Sequence, residues 1–316
     1  MSDVIRCEGL TKRYRHTVAV AGLDLSVQDG QVFGFLGRNG AGKTTTMRML
    51  LGLIRPTSGR AWLNGRRVPD PGGLARVGAM IEEPAFYPWL TGRRNLEILA
   101  RSGPPLPAAR PGPVTAALRR AGLDEVAGHK VKTYSQGRRQ RLGLAAALLR
   151  QPPLLLLDEP ANGMDPAGSR EFRGLLRSLA DGGTTVFLSS HLLADVAQVC
   201  DQVAVLHDGR LVEQGPITRL TAGRAQVRVV VRPADQPAAQ RLLASWPARA
   251  DGPGALLVDT ADGRQVNEAL GRGGIWAEQI SIERTGLEET FLALTGADAG
   301  PASASPGETA DAPAPR

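Results

Sequence analysis

The 316-residue sequence is short of aromatic residues, of cysteine and of long apolar runs, and each shortage removes a class of function. It has 4 Trp, 3 Tyr and 6 Phe, none interleaved with a basic run. Single-stranded nucleic acid is bound on stacking platforms of such residues, so nucleic acid is not an expected partner. Two cysteines, Cys7 and Cys200, cannot build a disulfide framework, and no Cys/His spacing suits zinc. The longest nearly apolar stretch, Leu142 to Leu149, is eight residues, against the ~20 that a bilayer span requires. From Met1 to Arg6 there is no charged region followed by an apolar one. The sequence therefore predicts a cytoplasmic chain that is neither secreted nor self-spanning.

What is present is ordinary in bulk and uneven in detail. The length suggests two domains, or one large domain with an appendage. The net charge is +7, and the stretch from Gly78 to Arg150 alone holds twelve Lys and Arg against five Asp and Glu. A basic face of this kind suits an acidic protein surface or an anionic membrane, and it equally describes a solvated surface.

Residues 1–220 read as strands alternating with helices, an α/β pattern. Strands are predicted at Val32 to Leu36, Val77 to Ile81, Leu154 to Leu157, Thr184 to Leu188 and 202–206. Helices are predicted at Lys43 to Ile54, Thr91 to Arg101, Val114 to Ala121, Gln136 to Arg150, 166–180 and 191–200. Five prolines between Gly103 and Pro113 predict a loop there. After about residue 220 the pattern changes to three strand–helix rounds, predicting a small α+β domain over 221–296. Residues 297–316 lack bulky apolar side chains, which predicts a disordered tail.

Gly37-Arg38-Asn39-Gly40-Ala41-Gly42-Lys43-Thr44 fits G-x-x-x-x-G-K-[ST] between a predicted strand and a predicted helix, with Thr45 following. Glycines let successive backbone N–H groups turn onto phosphates, and the helix N-terminus adds positive potential. Lys43 is positioned for the β- and γ-phosphates of a nucleotide, and the Thr44 hydroxyl for Mg²⁺. Further on, the apolar run Leu154 to Leu157 delivers Asp158 and Glu159 to the end of a strand. Asp158 then suits Mg²⁺ through water, and Glu159 suits a general base acting on a water molecule.

Tyr134-Ser135-Gln136-Gly137-Arg138 resembles the signature loop of ABC transporter ATPases, usually L-S-G-G-Q. The family's motif order recurs over roughly residues 3–220. Asn162-Gly163-Met164-Asp165 resembles the D-loop, His191 after Leu188-Ser189-Ser190 the switch histidine, and Tyr14 the aromatic residue that stacks on adenine. The resemblance implies a P-loop NTPase core with a helical subdomain at about 85–150 that faces a membrane subunit. It implies ATP and Mg²⁺ as cofactors, with Glu159 and His191 catalytic. It also implies that Ser135, Gly137 and Asp165 of one protomer complete the ATP site of a second, more readily a homodimer than a heterodimer.

Two departures stand out. Glu82 takes the place of the Q-loop glutamine, where it could ligate Mg²⁺, and this variant resembles ATPases that export bacitracin and lantibiotics. Gln136 and Arg138 replace the first glycine and the glutamine of the signature. The ending Thr285 to Gly296 resembles that of daunorubicin-type export ATPases. These resemblances imply an ATP-hydrolysing exporter subunit, peripheral on the inner face of the cell membrane, acting with a separate integral-membrane permease on an antibiotic, peptide or amphipathic drug. The alternative is a soluble ABC ATPase acting on ribosomes or nucleic acid. Such relatives usually carry two ATPase halves or a long insertion, and neither is found here.

Overall fold

The computed structural model describes residues 3–102, 112–221 and 225–284. Its centre is a six-stranded sheet in the order β10-β9-β3-β8-β7-β6. The members are β3 (Val32–Gly37), β6 (Val77–Met80), β7 (Leu154–Leu157), β8 (Thr185–Ser190), β9 (Gln202–His207) and β10 (Arg210–Pro216). All neighbours pair in parallel except β10 with β9. Parallel strands covered on both faces must be apolar on both, and the side chains divide by alternation. Leu36, Leu155, Leu157, Val186 and Leu188 enter one core, while Phe33, Phe35, Leu154, Leu156 and Phe187 enter the other. Four consecutive leucines in β7 are thus two pairs facing opposite ways.

The second of these cores is closed by an antiparallel sheet that the sequence reading missed. It is ordered β2-β1-β4-β5, from β1 (Asp3–Tyr14), β2 (Thr17–Gln28), β4 (Ser58–Leu63) and β5 (Arg66–Arg67). Between the two sheets lies α1 (Lys43–Leu50), which buries Met47 and Leu50. The helix stops four residues short of the predicted Ile54, because Gly52 turns left-handed at φ 68°. A short turn of helix, α2 (Pro71–Leu74), precedes β6.

The other core is covered by α3 (Gly92–Arg101), α4 (Pro113–Arg120), α5 (Gln136–Leu148), α6 (Pro166–Asp181) and α7 (Leu193–Val199), with α8 (Ile217–Thr221) closing the end. Leu96, Leu118, Leu142 and Leu148 tie the helical segment to the sheet. Cys7 and Cys200 lie buried in different cores. Burial pushes the Cys7 thiol pKa up to about 12, and burial beside Asp201 raises that of Cys200 as well.

Residues 225–284 form a separate four-stranded sheet with its own core around Val227, Val229, Leu256 and Val266. Its members are β11 (Ala225–Val230), α9 (Gln236–Leu242), β12 (Ala248–Ala250), β13 (Ala255–Val258), α10 (Gly263–Arg272) and β14 (Gln279–Arg284). The sheet order β12-β13-β11-β14, antiparallel throughout, makes this a βαββαβ unit of the ferredoxin-like kind, with one strand more than the predicted rounds over the described residues. The difference is β12, whose three residues are too few to show alternation. Most of the predicted proline loop, the Thr285 to Gly296 ending and the 297–316 tail lie outside the described residues.

Candidate functional site

The loop from Gly37 to Gly42 joins β3 to α1, so the strand ends where the helix N-terminus begins. Gly42 caps α1 at φ 101°, and a Cβ there would lie 2.4 Å from the Ala19 carbonyl oxygen. Only glycine meets both demands. Arg38, Asn39 and Gly40 are exposed, while Ala41, Gly42 and Lys43 are buried and Thr44 and Thr45 half-buried.

Lys43 is 6% exposed, and its ammonium donates to Gly37 O at 2.6 Å and Arg38 O at 3.3 Å. It also pairs with Glu159 Oε1 at 3.1 Å. The other carboxylate oxygen, Glu159 Oε2, lies 2.8 Å from His191 Nδ1. Glu159 itself sits at φ 46°, in the left-handed region that only a few per cent of non-glycine residues occupy. Backbone strain of this kind clusters at functional sites. Thus Lys43 at the start of α1 and His191 after β8 meet on a single carboxylate that follows β7.

Alongside, the Thr44 hydroxyl donates to Asp158 Oδ2 at 2.7 Å, and the Ser189 hydroxyl to Asp158 Oδ1 at 2.5 Å. Ser189 also accepts from the Glu159 backbone N–H at 2.9 Å. This serine, missed from sequence, orients both acidic residues. The only signal for it was its place in Ser189-Ser190-His191 at the strand end. A hydroxyl and a buried carboxylate are hard oxygen donors, the kind Mg²⁺ takes beside phosphate oxygens and water. No group of three or more His, Cys, Asp or Glu able to hold a metal occurs among the described residues.

Glu82, the third expected metal ligand, is exposed. In the absence of a ligand its carboxylate pairs with the Arg48 guanidinium of α1. Tyr14 lies at the end of β1, 44% exposed, with Lys12 Nζ 4.9 Å from its ring centre. The ammonium lies over one face of the ring.

Ser135, Gly137 and Asp165 lie elsewhere, together in a cleft of about 710 Å³. Ser135 caps α5 by accepting from Arg138 N at 3.3 Å, and Asp165 caps α6 by accepting from Gly168 N at 3.1 Å. A Cβ on Gly137 would meet nothing within 4 Å. Gln136, in the place of the usual glycine, lies over Gly163, whose Cβ would stand 3.4 Å from Gln136 Cγ. Tyr134 anchors the loop, 4% exposed and donating to Val126 O at 2.7 Å.

The basic face is partly spent within the chain. Arg93 and Arg120 donate to Thr115 and Thr184, at 3.0 and 3.3 Å, while Arg94 and Arg141 pair with Glu97 and Glu171. Arg119, Arg138 and Arg139 are left exposed.

The chain matches the ABC transporter family profile over residues 20–162. It is 37% identical over 305 residues to the bacitracin transport ATP-binding protein BcrA of Bacillus licheniformis, covering 94% of this chain and 98% of that one. The daunorubicin resistance ATP-binding protein DrrA3 of Streptomyces coeruleorubidus is 38% identical over 312 residues, with 94% and 98% coverage. Among solved structures, cbiO1 of Clostridium perfringens, part of an ABC transporter complex, superposes with a TM-score of 0.64 at 26% identity, covering 70% of this chain and 92% of that one. A dimeric ATP-binding cassette bound to ADP and Pi shares the fold, with a TM-score of 0.60 at 23% identity and coverages of 67% and 98%. The P-loop, the carboxylate pair at the end of β7 and His191 after β8 therefore lie in a chain that belongs to the ABC transporter family, as an ATP-binding subunit with the ABC ATPase fold.

Proposed function

We propose that this subunit drives efflux of an antibiotic, peptide or other amphipathic drug through a separate integral-membrane permease, working at the cytoplasmic face of the membrane. No helix among the described residues is long and apolar enough to cross a membrane, so the transport path would be the permease's. Residues 1–220 are taken as the nucleotide-binding domain and 221–296 as a C-terminal domain. Cargo class rests on the two drug-transport relatives, which this chain matches along almost their whole length.

The observation that carries the ATPase chemistry is the Glu159 carboxylate held between Lys43 and His191. A triphosphate entering the loop offers Lys43 stronger acceptors than the Gly37 and Arg38 carbonyls. Lys43 then turns to the phosphates and frees Glu159 Oε1 to accept a proton from the attacking water. His191 keeps the carboxylate oriented and reaches the γ-phosphate. Thr44 and Asp158 would hold Mg²⁺, which supplies charge neutralisation at the β- and γ-phosphates. Ser135, Gly137 and Asp165 would serve the nucleotide of a second copy, so that γ-phosphate links the two and its loss releases them.

The test is a pull-down of the Glu159→Gln protein with ATP and Mg²⁺ from detergent-solubilised host membranes. A stoichiometric polytopic membrane protein is expected. Ribosomal proteins or nucleic acid in its place would turn the reading to a soluble ATPase.

A further inference from the structure

The histidine that meets Glu159 stands just before a helix with little to hold it. α7 runs for seven residues, and its N-cap, Leu192, is exposed and offers no capping side chain. A helix this short has no stability of its own. Leu193, Val196 and Val199 press it into the core, but apolar packing is non-directional and leaves sliding and rotation of the helix loosely set.

One polar contact supplies the direction. Asp195, in the first turn of α7, pairs with Arg173 of α6 at 2.5 Å between Oδ1 and the guanidinium. The same guanidinium nitrogen donates to the Ser169 hydroxyl at 2.7 Å. The Arg173 side chain is 13% exposed and that of Asp195 25%, so salt screens the pair weakly. α6 has 16 residues and is capped by Asp165, which makes it the firmer of the two helices. A buried ion pair adds little net stability over an apolar contact, because both charges lose their water. What it adds is a fixed distance and orientation. The two pairs are also neighbours: Arg173, Asp195, Glu159 and His191 all line one cavity of about 390 Å³.

We propose that Arg173 is a positioning residue for ATP hydrolysis, tying α7 to α6 through Asp195 and so setting His191 against Glu159. The inference rests on the roles proposed above for those two residues and adds what holds the histidine in place. Arg173 acts at one remove from the reacting atoms. Its effect passes back along α7 from Asp195 to His191, where a small rotation of the helix would lengthen the 2.8 Å contact with Glu159.

The test replaces both partners at once, Arg173→Met with Asp195→Leu, which leaves no unpaired charge behind. Thermal midpoint, ATP affinity by calorimetry and phosphate release in a single turnover are read on the full chain. The midpoint and the affinity should hold, while the rate falls about 10- to 100-fold, the scale of a misplaced catalytic group. Asp195→Asn, a partly exposed change that leaves Arg173 its bond to Ser169, should lower the rate by a smaller factor, and it decides alone should the paired variant unfold. Both changes are then placed in the His191→Ala protein. If Arg173 acts through the histidine, neither lowers the residual rate further. A parent-like rate without the ion pair overturns the inference. A further loss in the His191→Ala background also overturns it, and the ATPase reading stands in either case. His191→Ala turning over like the parent overturns both.

Discussion

The two halves of the proposed nucleotide machinery are built in opposite ways within one chain. Around Lys43, Thr44, Asp158, Glu159 and His191 polar groups from different elements meet at 2.5–3.3 Å, Glu159 Oε1 through its ion pair with Lys43 alone. Around Ser135, Gly137 and Asp165 the bonds serve only to cap helices, and the groups face an open cleft. A pre-wired half fixes charges that must act on one bond, and its geometry survives without a ligand. An open half is a surface waiting for something that this chain does not supply to its own P-loop. The contrast supports reading the site as one completed between copies.

The largest expected effect breaks the wired half at its centre. Glu159→Gln should cut phosphate release by about 10²–10⁴-fold, as for loss of a general base, while calorimetry still detects ATP binding. Turnover at the parent rate would remove Glu159 from that role. Lys43→Ala should weaken ATP binding by about 10- to 150-fold, the equivalent of 1.5–3 kcal/mol for charge-assisted bonds. Unchanged affinity by calorimetry would detach the loop from the phosphates.

The open half is tested by Gly137→Asp. Within the chain a Cβ there meets nothing within 4 Å, and an acidic residue in the first turn of α5 suits the helix dipole. Folding and single-chain ATP affinity should therefore hold, while turnover falls about tenfold or more from a carboxylate set against the partner's γ-phosphate. Mixing Gly137→Asp with Lys43→Ala should recover part of the activity, because each mixed pair contains one intact composite site. No recovery in the mixture would argue that the halves never meet. The smallest effect is expected from Glu82→Gln. An exposed pair with Arg48 is worth under about 1 kcal/mol, so thermal stability should drop slightly. The Mg²⁺ titration of the ATPase should stay where it is if Arg48 keeps the carboxylate, and a shifted midpoint would make Glu82 a ligand.

Legibility followed the same division. The wired half was readable because its residues stand in short fixed spacings, and the four leucines of β7 announce a strand covered on both faces. Ser189 escaped because one hydroxyl in a run of serines has no spacing of its own. Glu82 was read through its place in the family, and its partner lies 34 residues earlier on another element, a pairing that only the fold creates. The β1–β2 sheet was missed for a local reason. Register shifts between Cys7 and Leu10 and again between Leu10 and Arg13, with Gly9 at φ 55°, break the alternation by which a strand is recognised. In the βαββαβ unit the strong strands were found, and the three-residue β12 was not.

The two native thiols have a practical meaning for watching this machine move. Both are sunk in the cores and held protonated far above neutral pH, so a thiol-reactive spin label or fluorophore should pass them by. A single cysteine introduced at an exposed position such as Arg38 or Arg138 would then be the only handle for a probe. Distances between P-loop and signature loop, within a chain and across a pair, could be followed through a turnover cycle without first stripping the protein of its own sulfur.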